Sequence, residues 1–109
     1  MEAHSGTLLT IICEAGLEPV LVADLVRLGA RGYTICDTRG MGSRGMRDAL
    51  WEGSSNIRVE VLGDRALIET LVAHVHDRYY ANYGMVLFVT EVEVLRPEKF
   101  LKRPGEDPS

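Results

Sequence analysis

The chain is short of cysteine, histidine and aromatic residues, and each shortage removes a class of function. Its 109 residues include 2 cysteines and 3 histidines. Two cysteines are too few for a disulfide framework. Cys13 and Cys36 each lie inside an apolar, strand-like run, so both are expected as buried free thiols. The histidines offer no metal centre. His4 stands near the N-terminus, and no cysteine–histidine group has zinc spacing. His74 and His76 are two apart on a helical stretch, which points them in different directions, and they read as helix-surface residues. A net charge of −4 excludes the basic surface of a general nucleic-acid binder. No apolar run approaches the roughly 20 residues of a membrane span. The N-terminus also lacks the basic start and apolar core of a secretory signal. The expectation is a cytoplasmic protein with no metal, no cofactor, no nucleic-acid partner and no direct membrane insertion. No nucleophile stands with a base and an orienting partner, so no catalytic residue is assigned and the protein is not expected to be an enzyme.

What the chain does have is a regular succession of apolar patterns, of a length that fits one domain. Residues 7–13 form a β-branched apolar run that reads as a buried strand. Pro19 suits the first turn of a helix, Leu21, Leu25 and Leu28 follow at helical spacing, and Gly29 and Gly32 end it. Residues 33–37 read as a second strand. Residues 56–62 alternate cleanly, with Ile57, Val59 and Val61 on one side and Arg58 and Glu60 on the other. Asp64 is placed to cap a second helix, whose inner face carries Ile68, Leu71, Val72, Val75 and Tyr79. Residues 85–95 form a fourth strand in which Glu91 and Glu93 alternate with Val92 and Val94. That alternation reads as a wetted sheet face or as a row of intersubunit ion pairs. Tyr79, Tyr80 and Tyr83 read as core and rim packing, or as the border of a ligand cleft.

The order strand, helix, strand, strand, helix, strand predicts an α+β, ferredoxin-like βαββαβ fold with both helices on one face of an antiparallel sheet. Residues 1–6 are expected to be disordered, residues 7–96 to form the domain, and residues 97–109 to be a polar C-terminal tail. The apolar first and fourth strands leave the second sheet face in need of a cover, which points to an oligomer.

The anomaly is the loop of about 39–55, between the second and third strands. Loops of this length in compact domains are usually functional or disordered. Its opening, Asp37-Thr38-Arg39-Gly40-Met41-Gly42-Ser43-Arg44-Gly45-Met46-Arg47, concentrates glycines and arginines on an otherwise acidic chain. Glycines let backbone N–H groups turn inward into an anion-binding concavity, and arginines add forked donors suited to phosphate or carboxylate. The alternative is a solvated, flexible loop. Gly40-Met41-Gly42-Ser43-Arg44-Gly45 spells GxGxxG, yet it follows the second strand and precedes no long helix, so it does not read as a dinucleotide fingerprint. Residues 46–51 have room for one helical turn, with Trp51 exposed.

Gly32-Tyr33-Thr34-Ile35-Cys36-Asp37-Thr38, followed by Gly42-Ser43-Arg44 and Arg47, resembles PII-like signalling proteins. The similarity covers nearly all of residues 7–96. It is greatest to the carboxysome-associated (CPII) branch and to the SbtB proteins linked to bicarbonate transport. The resemblance implies a homotrimer of ferredoxin-like subunits with ADP or AMP bound between them, and bicarbonate as a co-ligand. The long loop corresponds to the T-loop, which docks on a target such as a bicarbonate transporter or another carboxysome-linked protein. Thr38, Gly40, Met41, Gly42, Ser43, Arg44 and Arg47 would hold phosphates. Gly84, Met85 and Val86 would approach the adenine through their backbone, with Asn56 and Arg58 near the same cleft. Arg39, Arg44 and Arg47 are the bicarbonate candidates. The chain departs from nitrogen-regulating PII proteins in its short T-loop, which lacks their modifiable tyrosine. Tyr80-Ala81-Asn82-Tyr83-Gly84 also stands in place of their lysine-containing nucleotide loop. These departures count against 2-oxoglutarate sensing and strong triphosphate binding. The C-terminal segment has no cysteine-bearing hairpin, which favours the carboxysome-associated branch over SbtB. Two other readings are a slow nucleotide phosphohydrolase using the same cleft and a structural trimer similar to CutA proteins.

Overall fold

The computed structural model describes residues 3–39 and 55–95. Strand β1 (His4–Glu14) leads through a 3-10 turn, Ala15–Leu17, into helix α1 (Glu18–Arg27). Strands β2 (Thr34–Thr38) and β3 (Asn56–Gly63) follow. Helix α2 (Arg65–Val75) continues as a π-helical turn, His76–Tyr80, before strand β4 (Val86–Val94). The sheet order is β2-β3-β1-β4 and every pairing is antiparallel. This is the expected ferredoxin-like βαββαβ arrangement.

Alternation on the two central strands builds the core. Leu9, Ile11 and Cys13 of β1 and Ile57, Val59 and Val61 of β3 are buried on the side that meets the helices. Leu21 and Leu25 of α1 and Ile68, Leu71 and Val75 of α2 cover them, with Leu17, Tyr79 and Met85 completing the cluster. Each such side chain contributes roughly 1.5–3 kcal/mol on burial.

Local chemistry sets the helix ends. Pro19 lies in the first turn of α1, where its missing N–H leaves no bond unmade. At the other end Gly29 takes φ 112°, its N–H donates to the carbonyl of Val26, and the Ala30 N–H donates to the carbonyl of Leu25. This is a Schellman stop, and the left-handed backbone makes glycine the fitting residue. Gly29 suffices, so Gly32 has no part in ending the helix. At the start of α2 the Asp64 carboxylate accepts from the Leu67 N–H at 3.0 Å, as expected of an N-cap.

The structure corrects several expectations. Residues 4–6 are strand and not disordered: His4, Ser5 and Gly6 pair with Val94, Glu93 and Val92. Gly6 escapes hydrophobic patterning because its job is absence of bulk; a Cβ there would lie 2.7 Å from Val94 Cγ2. Cys13 is buried, but Cys36 is exposed. Cys36 lies on the five-residue edge strand β2 and alternates with Ile35, the residue that packs against the core. The second strand is displaced by one residue from the expected 33–37. The fourth begins at Val86, and Met85 just before it is buried in the core. Glu91 is exposed, as on a wetted face, and accepts from Arg65 of α2 and from the Thr7 hydroxyl of the same chain. Residues 40–54, with the possible turn at 46–51 and Trp51, and the tail 97–109 lie outside the described residues.

Replacing Asp64 by Ala should cost about 1 kcal/mol of stability through loss of the cap. Urea unfolding followed by circular dichroism is the check, with an unchanged slope and a lower midpoint expected.

Candidate functional site

The sheet holds the two ends of the long loop side by side. Thr38, the last residue of β2, is the register partner of Asn56, the first of β3. The Ala15 N–H donates to the Ser55 carbonyl at 2.9 Å, which ties the returning chain to the end of β1. The segment of about 39–55 therefore joins β2 to β3, with both of its ends fixed at one end of the sheet.

Several candidate residues meet at that end. Arg58 lies opposite Cys36 on one side and Ile12 on the other, and Ile12 lies opposite Val86. A single row thus crosses the sheet from Cys36 to Val86. The next row runs from Thr38 through Asn56 to Glu14. The candidates nevertheless fall into two groups. Thr38, Asn56 and Arg58 belong to β2 and β3, whereas Gly84, Met85 and Val86 lead into and begin β4 at the opposite edge. Three strand spacings of ~4.8 Å put β2 and β4 about 14 Å apart. Arg58 is engaged by Glu60 at 3.2 Å, and Arg39 is exposed at the mouth of the loop. Met85 is buried, so only its backbone is available to a ligand. Gly40, Met41, Gly42, Ser43, Arg44 and Arg47 lie outside the described residues.

The face of the sheet turned away from the helices is mixed in character. Ile12, Val86 and Val92 are half-buried there and Phe88 is 41% exposed, beside the Arg58–Glu60 ion pair.

A second cluster was not legible in the sequence. Asp24 of α1 accepts a hydrogen bond from the Tyr79 hydroxyl at 2.5 Å and lies 3.0 Å from His74 Nε2. Arg27 reaches it at 3.4 Å, and Arg78 Nε stands 3.7 Å away. The Tyr79 hydrogen bond, with those of His74 and Arg27, holds the Asp24 carboxyl down to about 2. His74 is thus half-buried in a polar contact and not simply on the helix surface. His76 is exposed and stacks on Tyr80, with ring centroids 5.0 Å apart. Beside the cluster opens a cleft of about 370 Å3 lined by Leu17, Val20, Arg78, Tyr79, Asn82 and Tyr83. Tyr79 and Tyr83 do border a cleft; Tyr80 does not line it. The one available signal for the cluster was a carboxylate at position 24, three residues from Leu21 and one before Leu25 on the buried stripe. Burial raises the Cys13 thiol to about 11, which leaves it unreactive as a nucleophile. Among the described residues, no group of His, Cys, Asp and Glu side chains is placed to hold a metal ion, and no helix is long and apolar enough to cross a membrane.

The fold has close counterparts. The family model of nitrogen regulatory protein P-II matches residues 6–99, and the chain belongs to that family. A PII-like signalling protein from Thermus thermophilus is 39% identical, with a TM-score of 0.76 over 92% of this chain and 99% of its own. CPII from Thiomonas intermedia, bound to ADP, AMP and acetate, is 25% identical, with a TM-score of 0.81 over 94% of this chain and 100% of its own. The same CPII bound to ADP and bicarbonate gives 27% identity and a TM-score of 0.78, over 91% and 97% of the two chains.

The Asp24 cluster carries a pH signature. Its folded pKa of about 2 lies below the roughly 3.9 of an unfolded aspartate. A depressed group contributes stability that is fully present above the unfolded value and is lost as pH falls through the folded one. Between pH 4 and 2 the urea midpoint of the wild type should therefore fall further than that of Asp24→Asn. Parallel pH profiles would show that the carboxylate contributes nothing to the fold.

Proposed function

We propose that this PII-like protein is a non-enzymatic regulator. It binds ADP or AMP between the subunits of a homotrimer, with bicarbonate as co-ligand. It signals through the 39–55 loop to a bicarbonate transporter or another carboxysome-linked protein. The observation that carries the reading is the division of the candidate residues between opposite edges of one sheet. Thr38, Asn56 and Arg58 stand two to three strand spacings, about 10–14 Å, from Gly84–Val86 within a subunit, whereas the β2–β3 edge of one subunit can meet the β4 edge of the next. The half-buried apolar side chains and Phe88 on the helix-free face are the kind of surface that association covers. The bound ADP, AMP and bicarbonate of Thiomonas CPII support the ligand class. In this reading Thr38 and residues 40–47 hold phosphate, and Arg39, Arg44 and Arg47 share their donors between phosphate and bicarbonate.

Light scattering at micromolar concentration should give the mass of a trimer; a stable monomer would remove the intersubunit site. Charge-assisted hydrogen bonds contribute roughly 1.5–3 kcal/mol each. At about 1.4 kcal/mol per decade, Arg44→Ala should weaken ADP at least about tenfold in calorimetric titration and leave adenosine nearly unchanged. Equal losses for the two would assign Arg44 to the fold. Bicarbonate, against a chloride control at fixed pH and ionic strength, should tighten ADP binding by lowering the cost of ordering the loop. ATP incubated with magnesium should remain intact, and turnover would point to a phosphohydrolase.

A further inference from the structure

The segment between α2 and β4 stands on weak packing. Residues 82 and 83 border the 370 Å3 cleft, and Tyr83 is 38% exposed. Met85 anchors the far end of the segment in the core. The near end is held through Tyr79: its carbonyl accepts from the N–H of Asn82 and from the N–H of Tyr83, each at 3.1 Å, and its ring lies 6.2 Å from that of Tyr83. Tyr79 is therefore pinned at both ends. Its carbonyl carries the turn, and its phenol hydroxyl donates to Asp24 on α1, 55 residues away in sequence. His74 and Arg78 reach the same carboxylate from the same stretch of chain. The π-helical turn, His76–Tyr80, contains Tyr79 and Arg78. A π turn places an extra residue in one turn of the helix, and such turns are frequent at functional sites.

We propose that Asp24 is a positioning residue for nucleotide binding. Through Tyr79 it sets where residues 82–84 stand relative to the end of the sheet, and so where the backbone of Gly84–Val86 is presented to an adenine. The assignment to adenine rests on the function proposed above; the tether from Asp24 to the turn does not. Asp24 touches no ligand in this arrangement. It acts through a partly buried hydrogen bond whose loss lets the turn settle into the cleft.

The test uses the full chain with Asp24→Ala, Tyr79→Phe and the double variant, beside Ile68→Val as a core control. Amide hydrogen exchange should quicken at least tenfold at Asn82 and Tyr83 in each single variant. The double variant should add little, because both substitutions break the same contact. Exchange in β1 and β3 should stay slow in both single variants, and Ile68→Val should leave 82 and 83 as protected as in wild type. In calorimetry, Tyr79→Phe should weaken ADP and adenosine by the same factor of about three to ten, keeping their ratio, whereas Arg44→Ala shifts that ratio. Unchanged exchange at 82 and 83 in Tyr79→Phe would overturn the tether. A quickening spread evenly over both helices would reduce Asp24 to general stability. A loss for ADP that exceeds the loss for adenosine would overturn the adenine assignment. If the wild type binds neither nucleotide, the proposed function fails and the exchange measurement still decides the tether.

Discussion

Strand β1 is the constraint on which the molecule depends. It takes part in both of the long pairings of the sheet, from Thr7↔Gly63 to Glu14↔Asn56 with β3 and from His4↔Val94 to Ile12↔Val86 with β4. Its side chains at 9, 11 and 13 are fully buried under the two helices. A slip of one residue in either register would turn Leu9, Ile11 and Cys13 to the other face and put Leu8, Thr10 and Ile12 under α1 and α2. The antiparallel order, the covering of one face by both helices and the arrival of four strand ends at one end of the sheet all follow from holding that register.

The same register decides what the loop-bearing end of the sheet can do. Pairing of Thr38 with Asn56 closes the hairpin base. β2 with its neighbour β3, and β4 at the other edge, carry the two sets of residues that a nucleotide site would need. One subunit offers them about 10–14 Å apart, and association of edges is a direct way to bring them together. A binding site divided between subunits also makes assembly and ligand occupancy depend on one another, a useful property in a signalling protein.

The Asp24 cluster shows a different use of partly buried polarity. A carboxylate that receives Tyr79, His74, Arg27 and Arg78 joins α1 to the end of α2, where aliphatic contacts give way to an open cleft. Hydrophobic packing holds a helix against a sheet but specifies the azimuth of an exposed turn poorly. A hydrogen bond with a defined donor and acceptor specifies it well. Such a contact is suited to the place where the last strand is about to begin.

Sequence alone determined the order and type of the elements. Alternation at Ile57, Val59 and Val61, the helical stripe at Ile68, Leu71 and Val75, and the Asp64 cap are local patterns, each a response to one boundary between core and water. The position of the glycine- and arginine-rich loop between two hairpin strands was legible in the same way. Tertiary structure decided the rest. Gly6 reads as part of a terminus until Val94 is seen against it. Cys36 reads as buried until β2 is seen to be an edge strand. Asp24 gains its part only where a π turn brings Tyr79 to it across 55 residues. The separation of Thr38 and Asn56 from Gly84–Val86 likewise depends on which strands are neighbours. Periodicity records which side of an element is dry, but the partner on that side is chosen by sheet order and chain path, which no local pattern encodes.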